Sequence, residues 1–396
     1  VMEGKGVLFK KFANIDVFDI EIDERDPDKF IDIVASLEPT FGGINLEDIR
    51  APECFEIERR LKQRMNIPVF HDDQHGTAII TAAAVLNGLS IVGKKIEEVR
   101  LVCSGAGAAA LSCLELLISL GMKRENILVC DSKGVVRAGK TGGYPERKAS
   151  FAADTELTDL AEAIVGADIF LGLSVAGALK PEMVETMAEN PLIFALANPT
   201  PEILPDEALA VRPDAILATG RSDYPNQVNN VLCFPYLFRG ALDAGASEIN
   251  EEMKKACVFA IAELAKIEVT SEVRAAYGDE QLSFGREYLI PKPFDRRLIL
   301  KIAPAVAKAA MESGIASRPI VDFDAYQEQL KRFVYRSGGI MKPVFATACQ
   351  SPQRVVYAEG ENLRILQAIQ EVVSERLARP ILVGRPEVIE ERIKRL

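Results

Sequence analysis

From Val99 onward the chain repeats one pattern: a short apolar run, a turn, an apolar-periodic stretch, then another apolar run. The runs are Leu101-Val102-Cys103, Ile127-Leu128-Val129-Cys130, Asp168-Ile169-Phe170-Leu171, Leu192-Ile193-Phe194-Ala195 and Ala215-Ile216-Leu217. Strands that alternate with helices pair in parallel, and a parallel sheet needs both faces covered. The repetition therefore predicts an α/β protein built on a doubly wound sheet over residues 91–240.

The flanks are less regular. Val7-Leu8-Phe9 reads as a strand, and Ala13 to Asp23 has strand periodicity through Val17, Ile20 and Ile22. Helix is predicted over Pro27 to Leu37, strand over Gly42 to Glu47, and helix over Cys54 to Met65. Strand follows over Ile67 to Phe70, then an Ala-rich helix over Gly76 to Leu89, completing an α/β region over residues 1–90. Residues 241–340 read as a helical segment, with Ala256 to Leu264 and Leu298 to Met311 periodic. A Gly/Pro-punctuated linker at 341–353 leads to two further β-α units in 354–396. Two strands are too few to bury a parallel sheet, so this tail predicts the opening of a second α/β domain. Val1 in place of an initiator Met, with an apolar run so soon after it, predicts a chain that begins inside a domain.

Length agrees: 396 residues suggest two or three domains. Lys plus Arg is 47 against 58 for Asp plus Glu, a net charge of −11. That balance argues against nucleic-acid or membrane-surface partners. The seven dispersed cysteines lack C-x-x-C spacing, which predicts a reduced, cytoplasmic chain.

Ser104-Gly105-Ala106-Gly107-Ala108-Ala109-Ala110 follows an apolar run and opens a helix. The pattern G-x-G-x-x-A supplies a tight turn, close backbone approach to a pyrophosphate, and a small residue for helix–strand packing. A pyrophosphate would sit at the helix N-terminus. Asp131 closes the next strand, where a Rossmann-type dinucleotide fold carries its ribose-binding acid. Ser132 and Lys133 follow at once, suiting a 2′-phosphate and so NADP over NAD, although both also read as exposed loop residues.

Glu47-Asp48 and Asp72-Asp73 end consecutive strands joined by a helix. Parallel pairing puts all four acids at one sheet edge, where like charges call for a hard cation such as Mg²⁺ or Mn²⁺. The alternative is helix capping by Asp72 or Asp73 ahead of Gly76-Thr77. His71 and His75, the two histidines, flank the second acid pair and read as supporting residues rather than ligands. Lys5 lies between glycines in Glu3-Gly4-Lys5-Gly6. Asn198-Pro199-Thr200-Pro201 and Asn226-Gln227-Val228-Asn229-Asn230 follow strands at the ligand edge, where amides serve either turns or a bound carboxylate or nicotinamide.

Taken in order, Glu3-Gly4-Lys5, Gly43 to Asp48, Phe70-His71-Asp72-Asp73-Gln74-His75-Gly76-Thr77, Ala195 to Pro199 and Asn229-Asn230 resemble the malic enzymes. The resemblance is to the bacterial NADP-dependent hybrid type, with a phosphate acetyltransferase-like domain behind the malic part. It covers residues 1 to 340, and Ala358-Glu359-Gly360-Glu361 falls in what resembles the start of that second domain. It implies oxidative decarboxylation of (S)-malate to pyruvate and CO₂ with NADP, or NAD, and Mg²⁺ or Mn²⁺, by a homo-oligomer. It further implies Glu47, Asp48 and Asp73 as metal ligands with Asp72 beside them, and Lys5 as general base. Asn198 and Asn230 would contact nicotinamide or malate, with Asn229 adjacent; the family's tyrosine acid would precede Val1. From the residues alone, a non-decarboxylating hydroxy-acid dehydrogenase or an NADPH-sensing regulator also stands.

Overall fold

The computed structural model describes residues 1–139, 143–269, 282–334, 344, 346–374 and 376–393. They divide into two compact units, Val1–Tyr326 and Gln327–Leu396. The linker expected at 341–353 lies partly outside the described residues.

The first unit opens with α1 (Met2–Ala13). Val7-Leu8-Phe9 is therefore helical, not a strand. Phe9 and Ala13, one turn apart, are 4% and 1% exposed, and the Phe9 ring packs 4.8 Å from that of Phe234. That burial outweighs the β preference of valine and the helix cost of Gly4 and Gly6. Residues 14–26 belong to no strand, contrary to the alternation over Ala13 to Asp23. Phe18 stays 70% exposed, and among the described residues the segment pairs with no strand.

Helix α2 (Pro27–Ser36) is capped by Asp26, which accepts the Asp28 N–H at 2.9 Å. Strand β1 (Ile44–Leu46), helix α3 (Glu53–Arg64) and strand β2 (Val69–His71) form a β-α-β unit. The two strands pair in parallel from Ile44↔Val69 to Leu46↔His71. Ile31, Val34, Leu46, Ile57, Leu61 and Val69 fill the core beneath them.

Helix α4 (Asp72–Val92) leaves β2 without a loop, four residues before the Ala-rich run begins. Asp72 and Asp73 thus occupy its first turn, where the helix dipole favours negative charge. The helix is long and apolar enough to cross a membrane, yet every residue from Ala78 to Val85 is at most 2% exposed inside the protein. It packs on α5 (Ala108–Ser119), α11 (Glu251–Lys266) and the sheet strand β7 (Leu192–Ala195). The buried Asn87 amide pins this packing, donating to Ala262 O at 2.9 Å and Leu289 O at 2.8 Å.

The main sheet is the doubly wound one. It contains β3 (Leu101–Ser104), β4 (Ile127–Asp131), β5 (Gly134–Val135), β6 (Ile169–Gly172), β7 and β8 (Ile216–Thr219). Their order is β5-β4-β3-β6-β7-β8, all parallel except the edge pair β4–β5. The chain winds outward from β3 and then returns to β6, so the topological switch point lies between these two strands. Alternation across β7 separates the layers. Leu192 meets Gly88 of α4, whereas Ile193 joins Ile164, Leu179, Val184 and Ala208 on the opposite face. Helix α10 (Phe234–Ala244), α11 and the helix Arg297–Glu312 close the unit.

In the second unit β9 (Gln353–Tyr357) pairs in parallel with β10 (Ala378–Leu382), joined by the helix Leu363–Ser374. Val356 is 61% and Ile381 40% exposed on this pair.

Asn87→Ala should lower the unfolding free energy by about 2–4 kcal/mol, because two buried carbonyls lose their donor at once. Urea unfolding measures it, and a loss under about 0.5 kcal/mol, the size of an ordinary surface change, would contradict the pinning role.

Candidate active site

Because β1 and β2 are parallel, their following residues meet at one edge. Asp48 takes a left-handed conformation (φ 56°), which lets its N–H donate to Asp73 Oδ2 at 2.9 Å. Glu47, Asp48 and Asp73 each offer an oxygen, all within 4.8 Å of one another. Burial pushes the Glu47 carboxyl up to about 7, and the charges of Asp72 and Asp73 add to it against Lys5 and Asn45. Three oxygen donors under mutual repulsion fit a hard divalent cation such as Mg²⁺ or Mn²⁺.

Asp72 turns away from this cluster. Its fully buried carboxylate accepts from Lys5 Nζ and, at 3.1 Å, from Asn230 Nδ2. A Cβ on Gly76 would overlap Asp72 Oδ1, so only glycine lets the carboxylate fold back over the helix turn. Lys5 sits on α1, not in a loop, with Nζ 3.3 Å from Glu47 Oε1 and 4.3 Å from the centre of the Phe234 ring. Burial alone would lower the Lys5 pKa, but Asp72 and Glu47 together raise it.

The histidines do not converge on the acids. His75 is drawn to Glu58, with Nε2 2.9 Å from both carboxylate oxygens, and burial pushes its pKa down to about 4. His71 is completely buried, its Nδ1 3.9 Å from Asp73 Oδ2, and among the described residues neither ring nitrogen has a hydrogen-bond partner.

At the switch point, Gly105 has φ 120°, and a Cβ there would overlap Leu173 O in the loop after β6. Ser104 Oγ and Ser174 Oγ lie 2.9 Å apart beside it. Gly107 caps α5, and its absent Cβ faces open space, a cradle at a helix N-terminus that fits a pyrophosphate. Ala106 lies between the two glycines, and Ala108 and Ala109 form the first turn of α5. Asn198 follows β7 and lies against Gly220 after β8. Asn230 bonds both Asp72 and Thr77 of α4, whereas Asn229 spends its side-chain oxygen on the Val231 N–H at 3.0 Å. Asn226 serves the turn, donating to Leu217 O and Arg286 O.

Comparison with known proteins decides the family. Residues 74–276, more than half of the chain, match the "Malic enzyme, NAD binding domain" family, and residues 1–62 match "Malic enzyme, N-terminal domain". The chain belongs to the malic enzyme family. Residues 339–396 match "Phosphate acetyl/butaryl transferase". The chain is 66% identical over its whole length to the NADP-dependent malic enzyme of Haemophilus influenzae, and 64% identical to an NAD-dependent malic enzyme of Rhizobium meliloti. It spans about half the length of these curated relatives, 52% and 51%. The malic enzyme structure from Pyrococcus horikoshii is similar with a TM-score of 0.76 and 40% identity, over 87% of this chain and 78% of that one.

In this malic enzyme chain the structure also brings in residues that sequence reasoning passed over. Asp131 closes β4 and accepts the Lys133 N–H at 2.6 Å and the ammonium of Lys148, from α6 (Glu146–Ala149). Partial burial would raise the Asp131 pKa, but Lys148 and the Lys133 amide lower it. The Ser132 and Lys133 side chains are exposed, whereas Lys148 is held over the Tyr144 ring at 4.7 Å. Its neighbour Arg147 reaches Gln74 Oε1 at 3.0 Å and Ser112 Oγ at 3.0 Å. Short α6 carries no signal of its own; a lysine placed 17 residues beyond the strand-ending acid shows its partner only in three dimensions.

Lys148→Ala should weaken NADP binding about 10- to 150-fold, the worth of one charged hydrogen bond, and NAD binding far less. Lys133→Ala should cost less than Lys148→Ala. Fluorescence titration of both reduced nucleotides reads the difference, and equal losses for the two would refute it.

Proposed function

We propose that the protein oxidatively decarboxylates (S)-malate to pyruvate and CO₂ with reduction of NADP. The observation that carries this reading is the three-carboxylate cluster beside a half-buried lysine, in a chain of this family. Glu47, Asp48 and Asp73 would hold Mg²⁺ or Mn²⁺, with Asp72 behind them. A divalent ion held there supplies the Lewis acidity that favours loss of the hydroxyl proton and of the C4 carboxylate.

The chain's own residues would supply the base and the contacts to cofactor and substrate. Lys5 Nζ takes the C2 hydroxyl proton, held in place by Asp72, which Asn230 steadies from the other side. Lys5 must be neutral to do so, and the two carboxylates beside it favour the ammonium. Added positive charge at Glu47 would offset them. Gly105, Ala106, Gly107, Ala108 and Ala109 would cradle the pyrophosphate, with Asp131 on the ribose and Ser132, Lys133 and Lys148 towards a 2′-phosphate. Asn198 and Asn230 would face nicotinamide and malate, with Asn229 shaping the turn. NAD serves as the weaker cofactor in this reading. In it, residues 1–90 carry the metal, 91–240 the nucleotide and 241–340 the closing helices, and 354–396 open the acetyltransferase-like domain. It also includes a homo-oligomer in the cytoplasm, which the six buried free cysteines suit.

The test is NADPH and pyruvate formation from malate with Mn²⁺ present. Asp73→Asn should cut turnover by more than about 100-fold, beyond the range for losing a supporting residue, while NADPH still binds. Full turnover in EDTA, or NADPH formed without pyruvate, would reject the reading.

A further inference from the structure

Behind the acid cluster, on α3, lies a carboxylate that the chemistry above does not use. Glu58 is 5% exposed. It accepts the His71 N–H at 3.2 Å, Gln74 Nε2 at 3.3 Å and His75 Nε2 at 2.9 Å, with Lys62 Nζ at 2.8 Å from the same group. The first three donors belong to the residues that bracket Asp72 and Asp73. Gln74 is held from its other end by Arg147, and His75 Nδ1 faces Lys254 Nζ at 3.5 Å.

A buried carboxylate is costly unless every lone pair is used. Here the donors come from both sides of the acid pair, so their shared acceptor sets the path of the β2–α4 turn. Asp73 needs such support. Its side chain is 41% exposed, and among the described residues the hydrogen bond it accepts is from the Asp48 N–H. Repulsion from Glu47 and Asp48 pushes it outward, against the Asp48 N–H and the dipole at the start of α4.

We propose that Glu58 is a positioning residue for the divalent ion: it fixes the turn that aims Asp73 at Glu47 and Asp48, and so sets metal affinity. The proposal rests on the metal reading above. A glutamine at 58 keeps the shape but loses the charge and half the acceptor capacity. Supporting partners of metal ligands are worth about 10- to 100-fold in affinity, which is the loss expected for Glu58→Gln. Gln74→Met, which removes one strut and keeps the Glu58 charge, should weaken the metal in the same direction by less.

The experiment titrates the intact chain with Mn²⁺ alone, following the free ion by electron paramagnetic resonance. NADPH fluorescence and thermal unfolding are measured on the same samples. The expected result is weakened Mn²⁺ binding in both variants with NADPH affinity unchanged. A folded Glu58→Gln variant that binds Mn²⁺ as the parent does overturns the proposal. If Glu58→Gln shows no cooperative unfolding, Gln74→Met decides in its place, and parental Mn²⁺ affinity there overturns the proposal. Loss of Mn²⁺ and NADPH affinity together also overturns it, because general loosening would then account for both. Asp73→Asn is the control. If it binds Mn²⁺ like the parent, the metal reading itself fails; if it loses Mn²⁺ while Glu58→Gln does not, only the positioning role fails.

Discussion

Parallel pairing of β1 with β2 forces like charges together. Each strand ends in a pair of acids, and Leu46↔His71 register brings both pairs to the same edge. Three of the carboxylates gather within 4.8 Å, while the fourth, Asp72, is withdrawn and neutralised by Lys5. This division of labour explains several local choices. Asp48 adopts φ 56° to present its N–H to Asp73, and position 76 is glycine because Asp72 lies over the helix turn there. Burial, with the charges of Asp72 and Asp73 added to it, lifts the Glu47 carboxyl to about 7.

Helix α4 ties that edge to everything else. Its first turn carries the acids, its middle is core, and Asn87 near its end pins α11 and the segment at Leu289. A helix this apolar would suit a membrane by composition, and here a surrounding protein core takes that role. Because the same rigid rod reaches from the acid turn to the face of the nucleotide sheet, the acid cluster and the switch point are held in one frame. Gln74 and Arg147 brace the rod at its acid end, and Gly88 lies against Leu192 farther along.

The nucleotide side depends on close backbone approach. Gly105 meets Leu173 O, which brings the loops after β3 and β6 into contact at the switch point. Gly107 then leaves the N-terminus of α5 open. The partnership of Asp131 with Lys148 adds a fixed cation beside the strand-ending acid, where the Lys133 side chain is exposed.

The order of strands and helices from Val99, the glycine loop, the strand-ending acids and the tail's two β-α units were legible in the sequence, because periodicity and turn chemistry are local. Helix α1 was misread for the same reason: Val7-Leu8-Phe9 has local strand character, and only packing of Phe9 on Phe234 makes it helical. The acids alone could not say which of the four would turn away. That was decided by Lys5, 67 positions from Asp72, and by Asn230, 158 positions away beyond the last strand of the nucleotide sheet. Glu58, Arg147 and Lys148 stayed invisible because a charged residue on a helix reads as solvated surface until its partners are known. Local pattern thus determined which elements form and which residue types end them; the tertiary fold decided which charges meet, since pairing depends on distance in space and not along the chain.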